Sequence, residues 1–415
     1  MSDVLDVCNR AADLAPAVAR LTGETKNRAL RAMAAALEDR AAGLIERNAE
    51  DVERARADGT SQTLIDRLTL TDSRIAGMSA GLRIVADQDD PVGQVVEGWK
   101  RPNGLLVERV RAPLGVVAVI YEARPNVTAD VAGLCLKSGN AALLRGSSTA
   151  TASNQAIVKV LQEAATAEGV PADAIQLVPG TSRESALELM QAKGLVDLLV
   201  PRGGKELIKS IEDNATVPFI IDGDGNCHVY VDASADPQMA TDIILNAKTQ
   251  RPSVCNAAET LVVHNEIAGK WLGGALDRLA EKGVEIRGDE RVKALWPDAV
   301  DATEDDWGTE YLDLVLAVKV VDSFDEAVSH VNRYGTSNAE AIVTGDLAAA
   351  RRFTSEVDSG SVFVNASTRF SDGGEFGYGA EIGISTQKLH ARGPMGLHAL
   401  TSERYVVWGE GQIRE

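Results

Sequence analysis

Residues 249–260 read Thr-Gln-Arg-Pro-Ser-Val-Cys-Asn-Ala-Ala-Glu-Thr, and the sulfur of Cys255 at their centre is the atom best suited to covalent chemistry. The segment is expected to leave a helix and to enter a strand at 259–263. On such a connection a cysteine is exposed, and Arg251 and Lys248 beside it would hold the thiolate, which is the nucleophilic form. Ser253 and Asn256 keep the loop polar, which weighs against a small buried hydrophobe. The other cysteines, Cys8, Cys135 and Cys227, are far apart and form no Cys-x-x-Cys pair, so neither zinc nor a disulfide framework is supported. Cys135 lies between two leucines on a predicted helix and reads as core, and Cys8 reads as terminal and incidental. Cys227-His228 is a rival pair, but neighbours in an extended segment face opposite ways and cannot act together.

Two glycine turns come next. No Gly-x-Gly-x-x-Gly follows the first predicted strand. Instead Leu143-Leu144-Arg145-Gly146-Ser147-Ser148 ends one strand and opens a helix, and Pro201-Arg202-Gly203-Gly204-Lys205 repeats the arrangement. Backbone amides at such a turn can hold phosphate, and Arg145 can pair with it. A glycine after a strand is commonly only a turn; two on neighbouring strands favour a nucleotide site.

The elements that position these residues follow from apolar periodicity. Leu30, Met33, Leu37, Leu44 and Ile45 recur at helical spacing between 24 and 57. Residues 92–113 alternate around Arg-Pro-Asn-Gly, a hairpin signal. From 115 onward, apolar runs at 116–120, 141–144, 175–178, 196–200 and 219–221 alternate with helices such as 128–137 and 153–167. A second series runs from 236 through strands at 261–263, 314–321, 341–344 and 361–365. Continuous apolar runs joined by helices suit parallel strands buried on both faces. The expected fold class is α/β, two Rossmann-like doubly wound domains with a β-hairpin oligomerisation arm and a cleft between the sheets for cofactor chemistry.

Composition sets limits. At 415 residues, 45% hydrophobic and 25% charged, the chain reads as soluble, globular and two-domain. A net charge of −19 argues against nucleic-acid or anionic-membrane partners, and an anionic substrate would need locally clustered arginines. No apolar stretch approaches a membrane span and no basic-then-apolar leader is seen, so a cytoplasmic, reducing compartment is expected.

Cys255 in its loop, Pro179-Gly180, the Arg-Gly-Ser-Ser turn, Glu310 and Phe363-Val364-Asn365 occur in an order that resembles the aldehyde dehydrogenase superfamily. More narrowly, Val119-Ile120-Tyr121-Glu122-Ala123-Arg124-Pro125-Asn126-Val127-Thr128, Thr-Gln-Arg-Pro-Ser-x-Cys-Asn and Tyr334-Gly335-Thr336-Ser337-Asn338 resemble the branch that reduces γ-glutamyl phosphate. The likeness runs from about residue 24 to the end of the chain. It implies NADPH-dependent reduction of L-glutamate 5-phosphate to L-glutamate 5-semialdehyde in proline biosynthesis, through a thioester on Cys255. It also implies a homo-oligomer, and transient contact with a glutamate 5-kinase that supplies the acyl phosphate.

The site residues implied are Cys255 as nucleophile, with Asn126 beside its own backbone N–H as oxyanion donors. The cofactor would meet Arg145, Gly146, Ser147, Pro179, Gly180, Gly203, Gly204 and Glu310, with Arg145 suited to a 2′-phosphate. Arg124, Arg251 and Arg369 are candidates for the anionic substrate; no metal is expected. The implied segments are 1–92 and 114–233 for NADP binding, 234–367 for catalysis, 93–113 and 400–415 for oligomerisation, and a glycine-rich 368–399 near the substrate. One departure stands out. Hydrolytic members carry a general-base Glu in Glu-Leu-Gly-Gly, where this chain has Asp222-Gly223-Asp224-Gly225, so activation of water is in doubt. The readings left open are another acylating or hydrolytic aldehyde dehydrogenase, a non-catalytic nucleotide-binding partner of an acyl-phosphate kinase, and a purely structural oligomer.

Overall fold

The computed structural model describes residues 2–414; Met1 and Glu415, the ends of the expected first and last segments, lie outside it. The chain divides into two units, Met1–Ile221 with Gly377–Gly383 and Met395–Glu415, and Asp222–Phe376 with Ile384–Pro394. The change of unit falls at Ile221/Asp222, earlier than the expected 233/234, because the strand at Cys227–Val231 hydrogen-bonds into the second sheet.

Unit one begins with the helices Asp3–Val18, Gly23–Asp39, Ala41–Ala57, Gln62–Leu68 and Asp72–Asp87. The helical stretch expected at 24–57 is two helices, broken at Arg40, where the backbone leaves helical geometry (φ −106°, ψ 14°). Thr22 starts the first of them as N-cap, accepting the Thr25 N–H at 3.1 Å. Cys8 is no incidental terminal residue: it is wholly buried in the helix Asp3–Val18 and packs into the core of this unit. The fully buried Asp51 carboxylate accepts the N–H groups of Ala152 and Ser153 at 3.2 and 2.8 Å. It thereby fastens the start of the helix Thr151–Ala167, and with it the Arg-Gly-Ser-Ser turn.

Strands β1 (Val95–Lys100) and β2 (Leu106–Pro113) form the expected antiparallel hairpin, turning through Gly104 at φ +93°. Strands β3 (Val116–Tyr121), β4 (Ala141–Gly146), β5 (Ile175–Leu177) and β6 (Leu198–Arg202) make a parallel sheet in the order β5-β4-β3-β6. Every residue of β3 and β4 is buried, which is why these runs carry no polar alternation. The expected strand at 219–221 amounts to an isolated bridge from Phe219 to Leu199.

Unit two holds β7 (Cys227–Val231), β8 (Ala258–His264), β9 (Glu285–Gly288), β10 (Val300–Asp301), β11 (Val315–Val321), β12 (Ala339–Val343) and β13 (Ser361–Val364). They form one parallel sheet in the order β10-β9-β11-β8-β7-β12-β13. Its faces separate by the two-residue period of a strand. Val229, Val231, Leu261 and Val263 pack with residues of the helices Pro237–Thr249 and Asn265–Ala280, while Tyr230, Val262 and Ile342 pack with Phe324–Tyr334 and Leu347–Glu356. A small antiparallel pair, β14 (Ile384–Ser385) and β15 (Gly393–Pro394), follows, and β16 (Thr401–Trp408) pairs with β2 in unit one. No helix among the described residues is long and apolar enough to cross a membrane.

Candidate active site

The nucleophile loop is built by its two flanking elements. The helix Pro237–Thr249 starts with Asp236 capping Met239 N–H at 2.7 Å and Pro237 in its first turn. Pro252 cannot continue it, so the chain turns, closes with Ala257 N–H on Val254 O at 3.0 Å, and enters β8. Cys255 is half-buried on this turn, the one cysteine of the chain that is not buried. The buried Asn256 fixes the turn from the far side. Its Nδ2 donates to Ser371 O at 2.9 Å, and its carbonyl accepts from Thr368 Oγ1 at 2.8 Å.

Two residues that sequence reasoning did not assign hold the Cys255 peptide itself. Cys227, wholly buried at the start of β7, lies with Sγ 3.2 Å from Cys255 O, and burial raises its thiol well above the usual range. It therefore stays a protonated donor, not a second nucleophile. Gly225 packs so closely that a Cβ there would lie 1.5 Å from Cys255 O. Its N–H donates to Glu310 Oε1 at 2.7 Å, which places the carboxylate expected on a nicotinamide ribose beside the strand that supports the nucleophile. His228, the other half of the rival pair, is wholly buried, with Nδ1 3.0 Å from Asn226 O.

Lys248 does not act as expected. It is wholly buried and its Nζ pairs with Glu259 Oε2 at 2.5 Å, so its charge is spent on Glu259 and not on Cys255. Burial pulls the Lys248 pKa down and pushes Glu259 up to about 7, against the pull of Lys248. Glu259 Oε1 also accepts the Leu312 N–H at 3.1 Å. Removing one partner strands a buried charge. Lys248→Met is thus expected to cost about 3–5 kcal/mol in denaturant melts, with much of it recovered by adding Glu259→Leu.

Arg251 and Arg369 do share the neighbourhood of Cys255. Arg251 is exposed, while Arg369 is half-buried with Nε on Gln250 Oε1 at 2.9 Å. Burial lowers the Arg369 pKa, and repulsion from Arg251 adds to it while Cys255 opposes it. Arg124, the third candidate, belongs to unit one, where it precedes the helix Pro125–Lys137. The acid in the general-base position is restrained as well: Asp222 Oδ1 accepts the Ile384 N–H at 3.0 Å.

On unit one the expected cofactor residues fall into two groups. Arg145, next to last in β4, donates through its terminal nitrogen to Ser182 O at 2.6 Å and Ser185 Oγ at 3.3 Å. Gly180, at φ +78°, packs against the same Ser185. Arg145 Nε and Ser147 Oγ are buried with no hydrogen-bond partner among the described residues. Two unmet donors at one strand end fit an incoming phosphate oxygen. Gly146 has no room for a side chain, since a Cβ would lie 1.9 Å from Asn154 Nδ2. Ser182 and Ser185 were missed, although Ser182 heads a helix-capping pattern and accepts Ser185 N–H at 3.3 Å.

The second group is the turn at Gly203-Gly204, where the Gly204 N–H donates to Glu122 Oε1 at 3.2 Å. The amide expected to meet a diphosphate thus meets a carboxylate of the chain itself. Asn126 is exposed in the first turn of Pro125–Lys137, and its Nδ2 donates to Asp130 at 3.1 Å. Burial pushes the Asp130 pKa up to about 6, with the Asn126 bond and Arg202 opposing. In the unfolded chain this acid ionises near about 4, so its contribution to stability is full below that pH and is lost as pH rises through about 6. Asp130→Asn is expected to remove this falling limb and to raise Tm at pH 8 relative to pH 5, checked by thermal melts across that range.

The aldehyde dehydrogenase family model matches residues 1–293 and 299–402, and the chain belongs to that family. Within it, the chain is 56% identical over 412 residues to a γ-glutamyl phosphate reductase of Thermobifida fusca, covering 99% of each chain. It is 53% identical to that of Halalkalibacterium halodurans, covering 100% of each. The crystal structure of γ-glutamyl phosphate reductase from Thermotoga maritima superposes with a TM-score of 0.98 at 46% identity over 100% of both chains. An acetylating aldehyde dehydrogenase of Geobacillus thermoglucosidasius, at 18% identity and a TM-score of 0.68 over 100% of this chain and 98% of the other, shares the fold.

Proposed function

We propose that this chain reduces L-glutamate 5-phosphate to L-glutamate 5-semialdehyde with release of phosphate, in the biosynthesis of L-proline. The observation that carries the reading is the half-buried Cys255, held through its own carbonyl by Cys227 and Gly225 and flanked by Arg251 and Arg369. Near-full-length identity to reductases of that name supports the substrate.

Cys255 thiolate attacks the acyl carbon, its backbone N–H steadies the oxyanion, and phosphate leaves toward Arg251 and Arg369. The acyl group remains on sulfur as a thioester. Bound NADPH supplies the hydride. Hydride addition to the thioester leaves a thiohemiacetal alkoxide on Cys255, which collapses by expelling the thiolate and releases the aldehyde with no net proton taken up. Arg145, Gly146, Ser147, Pro179 and Gly180 are assigned to the adenosine phosphate end of the cofactor. Gly203 and Gly204 take the diphosphate once Glu122 moves aside, and Glu310 takes the nicotinamide ribose. Asn126 is assigned as a further oxyanion donor.

An acyl phosphate is short-lived in water, so a kinase acting on the γ-carboxylate supplies it, and the reaction runs in the cytoplasm. A homo-oligomer is supported by the apolar residues left exposed on the three-stranded sheet, among them Val95, Trp99, Tyr405, Val407 and Trp408. The function is tested in reverse, as oxidation of L-glutamate 5-semialdehyde by NADP⁺ followed at increasing phosphate. Turnover is expected to rise from near zero and to saturate with phosphate. Equal rates without it would assign the chain to hydrolytic chemistry instead.

A further inference from the structure

The glutamyl substrate has two ends, and the cations around Cys255 answer only one. Phosphate is bonded to the carbon that Cys255 attacks, so it belongs with Arg251 and Arg369. The α-amino acid end lies three carbon–carbon bonds away, with a carboxylate and an ammonium that both need partners in a chain of net charge −19. Unit two holds several ion pairs; the one at the β14–β15 connection sets two cations on a single carboxylate and is linked by contacts to the nucleophile loop.

Residues 386–392, Thr-Gln-Lys-Leu-His-Ala-Arg, join β14 to β15 and contain no acid. Lys388 Nζ and Arg392 converge on the single carboxylate of Asp358, each at 2.7 Å, leaving one cation in excess. Asp358 is 53% exposed, and both cations hold its pKa below the usual range. Arg392 Nε and the Oγ of Ser359, next in sequence to Asp358, are sealed from solvent without a partner among the described residues. Unmet donors of this kind call for an acceptor.

The hairpin is tied to the nucleophile along two routes. On one, Asp222 bonds to Ile384 N–H, Thr386 Oγ1 lies 2.3 Å from where a Gly223 Cβ would be, and Gly225 abuts the Cys255 carbonyl. On the other, Gly393 packs on Gly360, Ser361 Oγ meets Ser371 Oγ at 3.1 Å, and Ser371 O accepts from Asn256 beside Cys255.

We propose that the hairpin 386–392 with Asp358 is the subsite for the α-amino acid end of the substrate, Arg392 and Lys388 taking the carboxylate and Asp358 the ammonium. The assignment rests on the function proposed above. A small shift of the hairpin opens Arg392 Nε and Ser359 Oγ to the incoming carboxylate, which replaces Asp358 between the two cations and frees it for the ammonium. These side chains set which aldehyde is accepted and take no part in the chemical step.

The full-length enzyme is assayed oxidatively with three aldehydes: L-glutamate 5-semialdehyde, 5-oxopentanoate, which lacks the ammonium, and 4-aminobutanal, which lacks the carboxylate. Arg392→Gln is expected to lower kcat/KM about 100-fold for the two carboxylates and to leave 4-aminobutanal within about twofold. Asp358→Asn should spare only 5-oxopentanoate, and Arg392→Lys should recover part of the loss. KM for phosphate and NADP⁺ should not move. An equal loss on all three aldehydes, or a raised KM for phosphate, overturns the assignment. Should Arg392→Gln fail to fold, Lys388→Gln, at a side chain 67% exposed, gives the same selective pattern or refutes it. Wild-type activity independent of phosphate would overturn the reading of function alone, since the pattern among aldehydes still decides the hairpin.

Discussion

Cys255→Ala is expected to abolish turnover in both directions, by about 10⁴-fold or more, while the protein melts within about 2 °C of wild type. The asymmetry follows from its place. The side chain is half-buried on a turn held through backbone and neighbours, by Asn256, Thr368 and Cys227, so losing one sulfur removes the chemistry and little packing. The other cysteines, Cys8, Cys135 and Cys227, are buried, with thiols raised to about 11, to about 12 and well above the usual range. Brief alkylation of the native enzyme should therefore label Cys255 alone and inactivate it in step, and bound substrate should protect it. Full activity in the alanine variant would move the nucleophile elsewhere.

Gly225→Ala is expected to be nearly as damaging, and for a reason without chemistry in it. Its Cβ would lie 1.5 Å from the Cys255 carbonyl oxygen and 2.5 Å from Cys255 Cα. Both are backbone atoms that no rotamer change can move, so the loop itself must shift. A loss of at least about 100-fold in kcat/KM is expected, with destabilisation of about 3 kcal/mol or more. Gly43→Ala is the control: it lies in the helix Ala41–Ala57 with nothing within 4 Å, and the added methyl should stabilise by about 0.5–1 kcal/mol. Assays and urea melts on both variants suffice. Near-wild-type activity in Gly225→Ala would falsify the close approach.

What the sequence made legible depends on how local each cause is. Val116–Tyr121 and Ala141–Gly146 stood out because burial on both faces leaves a continuous apolar run. Pro102-Asn103-Gly104 marked the hairpin because the turn needs a positive φ that Gly104 supplies. Cys227–Val231 was harder to see, since its first residues face partners distant in sequence: Glu340 bonds to the His228 N–H at 2.7 Å and Cys255 receives the Cys227 thiol. Lys248 shows the same limit. Its charge near Cys255 was plain, but that Glu259 takes that charge follows from β8 running beside the helix that precedes it. Nor could composition reveal Glu122 on the Gly204 amide, because that contact joins the ends of β3 and β6.

The hold of Ile384 on Asp222 has a kinetic meaning. An acyl group on sulfur partitions among whichever acceptors reach it, and this carboxylate is engaged with a peptide N–H. On the function proposed above, a carboxylate occupied in this way is a weaker recruiter of solvent, and starving the enzyme of reductant is expected to leave an acyl group on Cys255 that denaturing mass spectrometry would detect. One backbone contact of a short acid would then act as a stopper on a leak, the proposed thioester being kept for its acceptor and not lost as free glutamate.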